Sequence, residues 1–101
     1  MLKQKKIALV TGGSRGIGHG LVHCLARKGY AVAFTYHSRR DLAASIVEQL
    51  KADGHIALSI QMVAEERNSV VKALEKVRHH LGLVDILVNN AAVAQEIPFD
   101  T

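Results

Sequence analysis

The sequence predicts an α/β fold: a doubly wound parallel sheet assembled as βαβαβαβ, with strand order 3-2-1-4 and helices on both faces. Three observations lead there. Short apolar runs alternate with stretches of helical period across short connections, which is the pattern of parallel strands linked by crossover helices. The first run, Ile7-Ala8-Leu9-Val10, is apolar without alternation, as a strand covered on both faces must be. Directly behind it stands Thr11-Gly12-Gly13-Ser14-Arg15-Gly16-Ile17-Gly18, four glycines in eight residues between a strand and a helix. Right-handed crossovers then put strands 1 and 4 side by side, where the strand order reverses.

Each element has its own signal. Lys6 to Thr11 is the first strand. From Gly16 the period becomes helical, with Ile17, Leu21 and Leu25 on one stripe and Gly29 placed to end the helix. Ala31 to Tyr36 is the second strand. Asp41 is the expected cap of a second helix whose Leu42, Ile46 and Leu50 share a face, closed by Asp53-Gly54. Ile56 to Val63 is the third strand. A third helix spans about Glu65 to Leu81, with Val70, Leu74, Val77 and Leu81 along its stripe and Gly82 stopping it. Asp85 to Asn89 is the fourth strand, and the pattern breaks at Pro98. The heptad spacing in the third helix covers too few turns for a coiled coil and reads as core packing.

Composition narrows the function classes. A chain of 101 residues with 49% hydrophobic and 22% charged residues is one globular domain. The apolar stretch behind the basic start Lys3-Gln4-Lys5-Lys6 is only Ile7 to Val10, too short for a signal peptide or a membrane span. The single Cys24 has no disulfide partner, which agrees with a reducing compartment and a cytoplasmic location. Net charge is +4, but the basic residues are interleaved with acids and only 4% of residues are aromatic, which argues against a nucleic-acid surface.

A glycine-rich turn between a strand and a helix lets the backbone come close to a pyrophosphate, whose charge suits the N–H groups and dipole of the helix N-terminus. Two blocks carry a family resemblance. Thr11-Gly12 through Gly16-Ile17-Gly18 forms T-G-x-x-x-G-I-G, and Asp85-Ile86-Leu87-Val88-Asn89-Asn90-Ala91-Ala92 looks like the family's D-I-L-V-N-N-A-G. Together they resemble the short-chain dehydrogenase/reductase family, in the half that forms its Rossmann-type NAD(P)-binding fold. The look is closest to members that reduce 3-oxoacyl thioesters.

That resemblance implies a site. Gly12, Ser14, Arg15, Gly16, Ile17 and Gly18 would surround the adenosine phosphates and pyrophosphate, and Asn90, Ala91 and Ala92 would line the ribose and the nicotinamide side. Ala92 stands where the family usually has glycine. At the end of strand 3, where an aspartate-valine pair commonly binds the adenine amino group, this chain has Met62-Val63, so adenine would meet apolar groups. Restoring the acid through Met62→Asp is expected to tighten both cofactors. The acid that takes the ribose hydroxyls in NAD-using sites is replaced by Tyr36, followed by His37-Ser38-Arg39-Arg40. Together with Arg15 these put positive charge and a hydroxyl where a 2′-phosphate would sit, which favours NADP(H) over NAD(H).

The same resemblance marks what is not in these residues. Family members are roughly twice as long, form homo-oligomers, and carry Ser and Tyr-x-x-x-Lys elements on later strands and helices. Here only Tyr30 and Tyr36 occur, neither followed four residues on by lysine. The expectation is the cofactor-binding half of an NADPH-dependent carbonyl reductase, residues 1–101 stopping before the catalytic half and inactive alone. The alternative is a non-catalytic dinucleotide-binding or oligomerisation module. No metal site is expected: His19 and His23 have helical i, i+4 spacing, but they lie about 200° from the Ile17 stripe and should face solvent. His79 and His80 should complement the dipole at the end of the third helix.

Overall fold

Among the described residues seven elements follow in alternation: β1 (Ile7–Val10), α1 (Gly16–Arg27), β2 (Ala31–Tyr36), α2 (Arg40–Ala52), β3 (Ala57–Gln61), α3 (Arg67–His80) and β4 (Ile86–Val88). The computed structural model describes residues 5–12, 16–62 and 67–89, apart from the side chains of Ile17, Arg67 and Val70. The four strands are parallel and ordered β3-β2-β1-β4, the order expected from the sequence. Ile7 pairs with Ala31, Ala8 with Ile86, and Val32 with Ala57, so β1 and β2 form the middle of the sheet.

Alternation along the strands fills two cores. Val10, Val32, Phe34 and Tyr36 point to one face, where Val22 and Ala26 of α1 and Ala43, Ile46 and Leu50 of α2 cover them. Ile7, Leu9, Ala31, Ala33 and Ile60 point to the other, under Ala73 and Val77 of α3. Phe34, Leu9 and Leu50 are among the largest fully buried side chains, and each such burial contributes about 1.5–3 kcal/mol. At the amino-terminal edge of the sheet, Asp85 grips β1 twice. Its backbone N–H donates to the Ile7 carbonyl at 2.8 Å, and its Oδ2 accepts the Ile7 N–H at 2.8 Å.

Several local expectations shift. The buried line of α1 runs through Gly18, Val22 and Ala26, one residue on from the Ile17 stripe, with Leu21 and Leu25 packed on its flank. Small residues at the centre let the helix lie close to the sheet. Among the described side chains of α3 the buried ones are Ala73 and Val77, while Leu74 is 41% exposed. Asp41 is not the cap of α2. The first helical bond runs from the Ala43 N–H to the Arg39 carbonyl, so the cap position falls on Arg39, and Asp41 sits inside the first turn. Strand β3 is shorter than Ile56 to Val63: Ile56 contributes only its carbonyl, to the Val32 N–H at 3.0 Å, and Val63 lies outside the described residues. Among the described residues no helix is long and apolar enough to cross a membrane.

Candidate functional site

The carboxyl ends of the four strands lie along one edge of the sheet, with the order reversing between β1 and β4, and main-chain and side-chain bonds tie neighbouring ends together. The Thr11 N–H donates to the Val88 carbonyl at 2.9 Å, and the Thr11 hydroxyl lies 3.1 Å from Asn89 Oδ1 and 3.3 Å from the Val88 carbonyl. This joins β1 to β4. On the other side, the Gly12 N–H donates to the Thr35 hydroxyl oxygen at 3.0 Å, joining the glycine turn to β2. Further out, Gln61 Nε2 donates to the His37 carbonyl at 3.1 Å and the Met62 N–H to the Tyr36 carbonyl at 2.9 Å.

Two glycines of the turn adopt left-handed backbone, Gly12 at φ +70° and Gly16 at φ +58°. A Cβ on Gly16 would meet nothing within 4 Å, so conformation rather than crowding requires glycine there. Gly16 opens α1, whose N–H groups face the crevice because the helix runs back from the carboxyl edge of the sheet. Left-handed glycines followed by a twelve-residue helix suit a pyrophosphate, so the residues present fit a dinucleotide on the phosphate side.

The ribose side is built by the segment after β2. His37, Ser38, Arg39 and Arg40 are all exposed at the carboxyl end of the strand. Tyr36, at the position of the missing acid, is 8% exposed and packs in the first core. Arg39 is engaged: its Nε and Nη2 donate to the two carboxylate oxygens of Asp41, each at 3.2 Å. The Arg39 guanidinium, with the Leu42 N–H second, holds the Asp41 carboxyl below the usual aspartate range. Met62 is only 7% exposed and packs in the second core, so an adenine could reach no more than its edge. Ser14, Arg15, Val63, Asn90, Ala91 and Ala92, and the Ile17 side chain, lie outside the described residues.

Thr35 and Gln61 shape the crevice and were not singled out by sequence, while Thr11 and Asn89 stood in the two motif blocks without a role of their own. Thr35 carried a usable signal, a hydroxyl inside the otherwise apolar Ala31–Tyr36 run. The histidines of α1 also depart from expectation. His19 and His23 are half-buried, because the inward line through Val22 is only about 60° from the first and about 100° from the second, and their i, i+4 spacing brings the Nε2 atoms to 2.9 Å. Among the described residues no group of three or more His, Cys, Asp or Glu could hold a metal ion.

A parallel sheet whose strand order reverses beside a left-handed glycine turn and a helix N-terminus defines the dinucleotide-binding class of α/β folds. The sequence profile described as short chain dehydrogenase matches residues 6–101. The chain belongs to the short-chain dehydrogenase/reductase family, a family of oxidoreductases that bind nicotinamide dinucleotides. It is 41% identical over 91 residues to the 3-oxoacyl-acyl-carrier-protein reductase FabG of Staphylococcus epidermidis, covering 90% of this chain and 37% of FabG. It is 39% identical over 95 residues to the short-chain dehydrogenase/reductase homolog YusS of Bacillus subtilis, covering 94% of this chain and 87% of YusS. A blue fluorescent protein from a metagenomic library, solved in complex with NADPH, superposes with a TM-score of 0.80 at 42% identity, over 83% of this chain and 35% of that one. The chain thus spans little more than a third of the FabG relative.

Proposed function

We propose that these residues form the cofactor-binding half of an NADPH-dependent carbonyl reductase of the cytoplasm, acting on 3-oxoacyl thioesters. The observation that carries the cofactor preference is the exposed Ser38-Arg39-Arg40 segment at the end of β2, beside a position where Tyr36 replaces a carboxylate. Positive charge there favours a 2′-phosphate, and Tyr36 leaves the last position of β2 itself without an acid to repel it. Arg15, in the glycine turn, would add a second cation. The substrate class rests on the likeness to FabG.

When bound, NADPH supplies the hydride. The chain's own residues bind and orient it: Gly12, Gly16 and the start of α1 hold the phosphates, Thr35 fixes the turn, and Gly18, on the buried line of α1, lets the helix lie close to the sheet. Asn90, Ala91 and Ala92 would flank the nicotinamide side, and Val63 the adenine. Among the described residues, neither tyrosine is placed to give a proton to a carbonyl oxygen. Tyr36 is buried, and Tyr30 packs against the first core at the opposite end of β2.

Calorimetric titration tests the reading. NADPH should bind more tightly than NADH, and Arg39→Ala and Arg15→Ala should each cost NADPH about 1.5–3 kcal/mol while costing NADH little. Equal losses for both cofactors would remove the assignment. The 101-residue chain should not oxidise NADPH with a 3-oxoacyl substrate, and fusion to the remaining part of a FabG relative should restore turnover.

A second reading is a module that binds dinucleotide without catalysis. The match to YusS favours it, since this chain covers 87% of that protein. Cofactor binding in the chain with no turnover in the fusion would select it.

A further inference from the structure

We propose that Asp41 is a specificity-determining residue: it holds the guanidinium of Arg39 and thereby limits how strongly the site prefers a 2′-phosphorylated cofactor. This rests on the reading that the 2′-phosphate lies against Ser38-Arg39-Arg40. Arg39 presents its Nε–Nη2 edge to both oxygens of one carboxylate, at 3.2 Å each, which is the two-point geometry that guanidinium uses for phosphate. A phosphate that takes the same edge must displace Asp41. One that takes the outer edge lies within a few ångströms of a second anion.

The carboxylate is the fixed partner and the arginine is the group that folds back. Asp41 stands in the first turn of α2, where the helix dipole favours an anion, whereas Arg39 is the residue that opens the helix and makes no capping bond with its side chain. The Leu42 N–H supports the same carboxylate. Without Asp41 the exposed segment would offer Arg39 and Arg40 as two unopposed cations; with it, one is neutralised at contact distance. Arg39 and Asp41 are 52% and 76% exposed, so water screens the pair and a phosphate dianion can compete with it. Asp41 therefore weakens the preference without abolishing it, and it does so as a positioning residue, through Arg39.

The test is a double-mutant cycle read by cofactor affinity. Dissociation constants for NADPH and NADH are measured by calorimetry at low ionic strength for the parent chain, Asp41→Asn, Arg39→Ala and the double variant. Asp41→Asn should tighten NADPH about three- to fivefold and change NADH by less than about twofold. In the Arg39→Ala background the same replacement should recover less than half of that gain. A gain that is equal with and without Arg39, a gain shared by NADH, or no gain at all would overturn the proposal. Failure of the underlying reading looks different: the parent chain would then show no preference for NADPH, or Arg39→Ala would weaken both cofactors alike. A chain that binds neither cofactor overturns both. Unfolding midpoints check that the exposed replacements leave the fold intact.

Discussion

The backbone N–H of Gly12 donates to the hydroxyl of Thr35, a side chain 2% exposed in the strand beside it. The glycine turn is therefore anchored from β2 as well as from its own strand, and its left-handed geometry is held by a bond that no ligand contributes.

Replacing Thr35 by valine keeps the shape of the side chain and removes this acceptor. The cost of withdrawing a partner from a part-buried N–H is about 1–3 kcal/mol. Thr35→Ser should recover most of it. Urea unfolding of both variants measures the difference, and a Thr35→Val chain as stable as the parent would show that the bond carries no weight.

Two glycines of α1 should respond oppositely to alanine. Gly16 has φ +58° with open space around a Cβ, so Gly16→Ala should cost about 1–2 kcal/mol from backbone conformation alone. Gly20 is also uncrowded but lies in the regular helix, where alanine should stabilise by about 0.5–1 kcal/mol. Thermal melts of the two variants should move in opposite directions.

Burial changes what Met62→Asp is expected to do. The sequence suggested a gain in adenine binding. In the structure the side chain belongs to the core formed with Ile60, Ala73 and Val77, so the replacement places a carboxylate among apolar groups and should destabilise the fold by several kcal/mol. Met62→Leu, nearly equal in volume, should cost less than about 1.5 kcal/mol. Denaturant midpoints that rank the two variants the other way would contradict this placement.

His23 should make stability fall in mild acid. Burial first, then the adjacent His19 ring and the Arg27 charge, hold it below the ordinary histidine range. The unfolded chain therefore takes up a proton near pH about 6.5, before the folded chain does. The contribution of neutral His23 is full above that value and is lost as pH falls through it toward the folded-state value. The melting temperature should drop from about pH 8 to about pH 5, and His23→Gln should flatten the profile. An unchanged slope in the variant would assign the loss to other groups.

Much of this was legible in the sequence, for physical reasons that also mark where it stopped. The strand order follows from crossover handedness and from apolar runs that only a sheet covered on both faces tolerates, and Ile7–Val10 and Ala31–Tyr36 both carry that mark. Helix faces were legible to within one residue. A stripe of large residues through Leu21 or Leu74 does not reveal that the smaller Val22 and Ala73 take the central contact, because close packing favours small volume where helix meets sheet. Asp41 was misread because an acid near a helix start can serve as cap or as first-turn partner. Only the bond from Ala43 to the Arg39 carbonyl decides between them. The Thr35–Gly12 bond joins residues 23 positions apart and leaves no periodic trace.

The strand order also has a consequence in time. β1 and β2 meet across a short connection, with Gly12 and Thr35 23 positions apart, whereas Ile7 and Asp85 close a loop of 78 positions. Loop-closure entropy makes the longer closure harder by about 1 kcal/mol, and Leu87 of the short β4, 57% exposed, returns little burial for it. β4 is therefore the strand that docks last, after the β1–β2–β3 unit has formed. Pulse-labelled hydrogen exchange during refolding should protect the amides of Ala31 and Val32 before those of Thr11 and Asp85. The crevice between β1 and β4 is thus completed at the final step of folding, and a ligand seated there would act as a latch on the closure that opens first.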